Sequence, residues 1–138
     1  MAKTVADVMT SHPATIEGDQ PVSVAAALMR ENDAGAVIVN DNGRMASIVT
    51  DRDIAVRVVA DEKGPQTPVR EACSPSVEAV GPDTSIDQAV QLMRSHAVRR
   101  LPVVEDGRAV GIVSLGDLAI ERDPNSALGD ISAAEGNR

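Results

Sequence analysis

Two pairs of side chains in this chain are spaced for hydrogen-bond chemistry. Thr50-x-x-Asp53 and Ser114-x-x-Asp117 each set a hydroxyl three residues ahead of a carboxylate, directly after a β-branched run. This is the capping-box pattern, in which the two side chains satisfy backbone N–H groups at a helix start, worth about 1 kcal/mol per box. The free amides at such a start also favour an anion. Upstream of the second pair stands Arg99-Arg100. The matching stretch of the first pair, Asp33-Ala34-Gly35-Ala36-Val37, has no arginine, and Arg52 reads either as a partial substitute or as a solvated helix charge. Nothing comparable points to catalysis. His12 and His96 have no second ligand set nearby and read as surface histidines. Cys73 reads as a small core-facing hydrophobe. No Ser-His-Asp, Cys-His, paired-carboxylate or zinc spacing occurs, and no Walker-type glycine loop. The expectation is a non-enzyme with no metal site and no required cofactor.

The elements that position these pairs come in duplicate. A shift of 64 positions aligns residues 7–55 with 71–119 without a gap, giving about a dozen identities. Leu28-Met29-Arg30 falls on Leu92-Met93-Arg94, Gly43-Arg44 on Gly107-Arg108, Ile48-Val49 on Ile112-Val113, and Asp53 on Asp117. Each copy opens with a segment spaced like one or two helical turns, Val5 to Met9 and Val69 to Cys73. A short extended piece follows, Ala14 to Ile16 and Glu78 to Val80. A helix then starts at Gln20-Pro21 and Thr84-Ser85, with Pro21 suited to the first helical position and Thr84 with Asp87 as a capping box. Val22, Ala25, Ala26 and Met29, matched by Ile86, Ala89, Val90 and Met93, have helical spacing. Next come two apolar runs around Asn42-Gly43 and Asp106-Gly107, strong hairpin signals. A second helix closes each copy, Asp51 to Ala60 and Gly116 to about Glu121. The order per copy is β-α-β-β-α, an α/β (α+β) class. Two units of roughly 60 residues are each marginal alone and are expected to pack sheet to sheet with pseudo-two-fold symmetry. The repeats are expected at 4–62 and 68–123, with a tail at 124–138 in which Ala127-Leu128 and Ile131 could dock as a short helix.

Composition narrows the function. The chain has 138 residues, 43% hydrophobic and 25% charged, the balance of a globular protein. The longest apolar runs are about six residues, too short to span a membrane. No secretory signal pattern opens the chain. Thirteen basic against 21 acidic residues give a net charge of −8, which argues against nucleic acid and anionic membrane as partners. One cysteine excludes an internal disulfide or a cysteine-based zinc cage. A cytoplasmic location is expected. The chain contains no Phe, Tyr or Trp, so no stacking platform exists and any planar ligand must lie between aliphatic side chains.

With these residues in view, the chain resembles a tandem pair of CBS domains, over residues 4 to about 122. Three features carry the resemblance: the opening Val5-Ala6-Asp7-Val8-Met9 ahead of Thr15, the segment from His96 through Arg99-Arg100-Leu101-Pro102 to Val104, and the motif Gly111-Ile112-Val113-Ser114-Leu115-Gly116-Asp117. The first copy departs at the glycine, reading Ser47-Ile48-Val49-Thr50-Asp51-Arg52-Asp53. The resemblance implies a stand-alone regulatory module, a sensor or adaptor, that binds AMP, ADP, ATP or S-adenosylmethionine in a cleft between the copies. A carboxylate in the first helical turn can accept from both vicinal ribose hydroxyls, and Arg99 and Arg100 can contact phosphate oxygens. The implied main site is Arg99, Arg100, Ser114 and Asp117 with Thr15 and Ile16. The second, weaker site is Thr50 and Asp53 with Ala79 and Val80. The alternative is a structural or interaction protein with an empty or degenerate cleft. Helices 22–29 and 53–60 carry more apolar surface than one core-facing stripe requires, so a homodimer is expected, with an unidentified protein partner as a further possibility.

Overall fold

A computed structural model describes residues 3–74, 78–122 and 131. A short strand β1 (Thr10–Ser11) comes first. Within the first copy, strand β2 (Thr15–Glu17), helix α1 (Val22–Asn32), strands β3 (Ala36–Asp41) and β4 (Arg44–Thr50) and helix α2 (Asp51–Ile54) follow in order. The second copy has helix α3 (Ile86–His96), strands β5 (Arg100–Glu105) and β6 (Arg108–Ser114) and helix α4 (Leu115–Arg122). The result is a mixed α/β fold with two three-stranded sheets, ordered β2-β3-β4 and β1-β6-β5.

The hairpins form where the sequence places them. Asn42 and Gly43 have φ of 53° and 79°, and Asp106 and Gly107 have 53° and 80°. Two successive positive φ values make the type I′ turn whose twist matches that of the flanking strands. Helices α1 and α3 both run 11 residues and stop at a residue in the left-handed region, Asp33 and Ala97. Val22, Ala25 and Met29, and likewise Ile86, Ala89 and Met93, are their buried positions. Among the described residues the buried members of both core clusters are aliphatic residues and methionine, with Cys73 packed against the first.

Several local expectations are corrected. Pro21 lies one residue ahead of α1 in extended conformation, not at its first helical position. The box at the start of α3 is Ser85 with Gln88, not Thr84 with Asp87: the Gln88 N–H donates to Ser85 Oγ at 3.1 Å and the Ser85 N–H to Gln88 Oε1 at 3.2 Å. Thr84 instead accepts the Gly81 N–H at 3.0 Å. The helix expected over 51–60 is α-helical only to Ile54 and widens to a π turn over Ala55–Val59. Val56, Val58 and Val59, β-branched residues of modest helix propensity, occupy that turn. In the second copy the first strand shrinks to a single bridge from Val80 to Val103. The cause is Pro102. Its counterpart Ile38 donates its N–H to Ala14 at 3.0 Å, and proline has no N–H to give. The expected tail helix, apart from Ile131, lies outside the described residues.

The compact units are not the sequence repeats. One unit joins the chain up to Pro13 with the chain from Glu78 onward, and the other is Ala14–Val77. The opening segments are therefore exchanged. Val5 is fully buried in the core built by the second copy, and Val69 in the core built by the first. The backbone contacts match position by position. Val5 N–H donates to Thr84 at 2.9 Å and Ala6 N–H to Pro82 at 3.2 Å, while Val69 N–H donates to Gln20 at 2.8 Å and Arg70 N–H to Gly18 at 3.0 Å. In the Ala14–Val77 unit, Arg57 Nη1 also donates to the carbonyls of Ala72 and Cys73 at 3.3 and 2.9 Å, clamping the incoming segment.

Candidate functional site

Both capping boxes form. At the β6–α4 junction the Asp117 N–H donates to Ser114 Oγ at 3.1 Å, and the Ser114 N–H donates to Asp117 Oδ2 at 2.8 Å. At the β4–α2 junction the Asp53 N–H donates to Thr50 Oγ1 at 3.1 Å, and the Thr50 N–H to Asp53 Oδ2 at 2.9 Å. Each box is half-buried, and each uses one carboxylate oxygen and one hydroxyl lone pair. Asp117 Oδ1 and the Ser114 hydroxyl proton remain uncommitted among the described residues. A box in this state is a finished cap that still offers one acceptor and one donor outward.

The backbone behind the two boxes is the same. Ser114 stands opposite Arg100 in the β5–β6 ladder, and Thr50 opposite Ala36 in the β3–β4 ladder. Leu115 N–H donates to the Arg99 carbonyl at 2.8 Å, and Asp51 N–H to that of Gly35 at 3.0 Å. Only the side chains differ. The second copy puts a half-buried Arg100 and an exposed Arg99 beside its box, and neither makes an ion pair with a described residue. The first copy has Gly35 and Ala36 there, and adds a second carboxylate: Asp51 Oδ1 accepts the Arg52 N–H at 2.8 Å. An amide that could face an anion is thereby already satisfied from within. Electrostatically the junctions differ in sign: one sets Arg99 and Arg100 against Asp117, and the other sets Asp51 and Asp53 against a single exposed arginine, Arg52.

The remaining expected site residues divide between the units. Ala79 and Val80 belong to the unit that holds Arg99, Arg100, Ser114 and Asp117, whereas Thr15 and Ile16 belong to the unit that holds Thr50 and Asp53. Ile16 and Val80 are buried members of the two cores, so neither side chain offers a ligand a surface within its own unit. Val80 has also committed its backbone, its N–H donating to Pro102 and its carbonyl accepting from Val104 at 3.0 and 2.8 Å. Thr15 and Ala79 are exposed.

The departure at Ser47 has a cause unrelated to the box. Ser47 is buried, and its hydroxyl donates to the carbonyl of Ser74 at 2.5 Å. It is a packing residue, and at the junction itself the two copies differ in the missing arginines and the added Asp51. Sequence reading also passed over Asp7. Its carboxylate accepts the N–H groups of Lys3 and Thr4 at 3.0 and 3.1 Å. The Lys3 bond first, then that of Thr4, holds its pKa below the usual carboxylate value. A Thr-x-x-Asp spacing at 4–7 was the available signal, the same one read at 50–53. Among the described residues no cluster of His, Cys, Asp and Glu could hold a metal ion, and no helix is long and apolar enough to cross a membrane.

Comparison with known proteins bears on the same residues. The model of the CBS domain matches twice, over residues 5–60 and 69–122. The CBS domain-containing protein YhcV of Bacillus subtilis is 41% identical over 126 residues, covering 91% of this chain and 90% of its own. The crystal structure of Hypoxic Response Protein I with two coordinated zinc ions aligns with a TM-score of 0.76 at 33% identity, over 84% of this chain and 96% of that one. Its sequence relative of the same name is from Mycobacterium tuberculosis. The hexameric CBS-CP12 protein of bloom-forming cyanobacteria aligns with a TM-score of 0.77 at 28% identity, over 90% of this chain and 73% of its own.

Proposed function

The chain belongs to the CBS-domain family as a tandem pair, and on that basis we propose that it is a non-catalytic, cytoplasmic regulatory module that binds an adenosine-containing ligand at the β6–α4 junction. CBS pairs are regulatory modules, so the open matter is the ligand. One observation carries the reading: Asp117 and Ser114 complete the helix cap with one oxygen each and leave Asp117 Oδ1 and the Ser114 hydroxyl uncommitted, on a junction whose facing backbone is Arg99-Arg100, neither of them ion-paired with a described residue. A ribose hydroxyl suits the free carboxylate oxygen, and a phosphate suits Arg99, Arg100 and the first amides of α4. AMP, ADP or ATP fits this arrangement better than S-adenosylmethionine, whose sulfonium the two arginines would repel. At the β4–α2 junction the second carboxylate, Asp51, and the lack of arginine at positions 35 and 36 disfavour phosphate, with Arg52 as the one local cation. One nucleotide per chain is the expected stoichiometry.

The competing reading, an interaction protein whose boxes are caps and nothing more, draws support from the same hydrogen bonds, since each box is closed without a ligand. A spectrum separates the two. With no Phe, Tyr or Trp the apoprotein has almost no absorbance in the near-ultraviolet bands of those side chains. A nucleobase band in nuclease-treated protein therefore reports a co-purified ligand, and titration calorimetry with AMP and ATP supplies affinity and stoichiometry. No band, with no heat from either nucleotide, refutes nucleotide binding. Self-association is proposed through the end of the first copy, where Val56 and Val59 are 50% and 67% exposed on the π turn.

A further inference from the structure

The two copies differ at a pair of facing residues, and the candidate site does not explain the difference. Gly111 on β6 lies under Met9. A Cβ at Gly111 would collide with Met9 Sδ, and would stand 2.9 Å from Met9 Cγ and 3.0 Å from the carbonyl oxygen of Thr10. Across the 64-residue repeat, Gly111 corresponds to Ser47, Met9 to Cys73 and Thr10 to Ser74. Ser47 does carry a Cβ, and its hydroxyl uses the Ser74 carbonyl as acceptor. The carbonyl that crowds position 111 in one unit is thus a hydrogen-bond partner in the other. The incoming side chain has shrunk from a thioether to a thiol. A long residue lies over the glycine in one unit, whereas the matching positions of the other hold a serine and a short cysteine whose thiol donates to the Arg70 carbonyl at 3.4 Å.

We propose that Met9 with Gly111, and Cys73 with Ser47, form a size code that fixes which opening segment seats on which sheet. Part of the seating is common to both segments: Val5 and Val69 are the same residue in the same buried position, and the backbone hydrogen bonds of Val5 and Ala6 match those of Val69 and Arg70, while Val8 and Ala72 add a second difference in size. Without exchange, Met9 would meet the Cβ and hydroxyl of Ser47, and Cys73 would face Gly111. The first pairing drives a side chain into occupied volume, and the second leaves a hole where the Met9 sulfur packs. Both errors disappear together when the segments are exchanged. The code explains why glycine is kept at 111 and absent at 47, independently of any ligand.

The test uses the full chain, with thermal melts followed by far-ultraviolet circular dichroism. Gly111→Ser alone is expected to lower Tm by about 5 °C or more. Combining it with Met9→Cys recreates the pair of the first copy and should recover at least about half of that loss, a coupling that independent sites do not show. Met9→Cys with Cys73→Met reverses the code on the segments only, and should be less stable than either single variant. Adding Gly111→Ser and Ser47→Gly reverses it on the sheets as well, and should restore stability. If Gly111→Ser alone fails to fold while its combination with Met9→Cys folds, the code is supported. It is overturned if Gly111→Ser costs as much in the Met9→Cys background as in the parent, if both of those variants fail to fold, or if the fourfold variant is no more stable than the segment-only reversal.

Discussion

Asp117 has two candidate tasks, and substitution can part them because the hydrogen bonds of the cap are known. Asp117 Oδ2 accepts the Ser114 N–H at 2.8 Å, and its own N–H reaches Ser114 Oγ at 3.1 Å. Asp117→Ala deletes the first bond and leaves the second, so about 1 kcal/mol of stability is expected to go, with or without ligand. Asp117→Asn keeps an acceptor oxygen for the Ser114 N–H and is expected to stay within about 0.5 kcal/mol of the parent. For a ligand the two variants look alike. Either loses the charge at Oδ1 that would hold a ribose hydroxyl, and a hydrogen bond to a charged group is worth about 1.5–3 kcal/mol. Asp117→Asn should therefore bind AMP or ATP at least about tenfold more weakly, a loss of about 1.4 kcal/mol. Asp53→Asn, in the junction that lacks counterparts of Arg99 and Arg100, should change affinity much less. Stability is best read from urea melts by circular dichroism, because the chain has no tryptophan or tyrosine for fluorescence, and affinity from calorimetry. The reasoning is refuted if Asp117→Asn folds normally and binds both nucleotides as tightly as the parent, for then the carboxylate is a cap alone.

Three further outcomes are expected. Ala97 ends α3 at φ 52°, a conformation that costs a Cβ-bearing residue about 1 kcal/mol, so Ala97→Gly should raise stability by about 0.5–1 kcal/mol in a urea melt, and a loss would contradict this. Asp7 has a lowered pKa in the folded chain, so its hydrogen bonds stabilise fully above the usual carboxylate value of 3.8 and fade as pH falls through the lower folded value. The Tm gap between the parent and Asp7→Ala should accordingly be constant from about pH 7 to 5 and narrow as pH falls below about 4; a gap that widens as the pH falls would be inconsistent. If the parent self-associates as proposed, Val56→Glu with Val59→Glu should reduce it to monomer in light scattering without loss of helical signal, and an unchanged mass would remove the π turn from the interface.

Much of this protein was legible in one dimension because its rules are local or periodic. The 64-residue repeat, the type I′ turns at Asn42-Gly43 and Asp106-Gly107, and the hydroxyl–carboxylate boxes at 50–53 and 114–117 are visible in short stretches of chain or in their recurrence. The aliphatic core followed from the composition, and the arginine asymmetry between the junctions from simple alignment of the copies. The α3 cap was misplaced by one residue because Thr84-Asp87 and Ser85-Gln88 overlap, and only the seating of Thr84 on Gly81 decides between them. The lost strand pairing at Val80 required knowing that Pro102 would be its neighbour. The exchange of opening segments was beyond any local rule, since Val5 and Val69 satisfy either core equally and the segments dock about 80 residues ahead and about 50 behind along the chain. What decides it is contact between residues far apart in sequence, such as Met9 over Gly111. Local patterning thus accounts for the elements, their duplication and the residues of each junction. Which core each opening segment completes, and the packing role of Ser47, emerge only in three dimensions, because steric fit between distant side chains is defined only once the chain has brought them together.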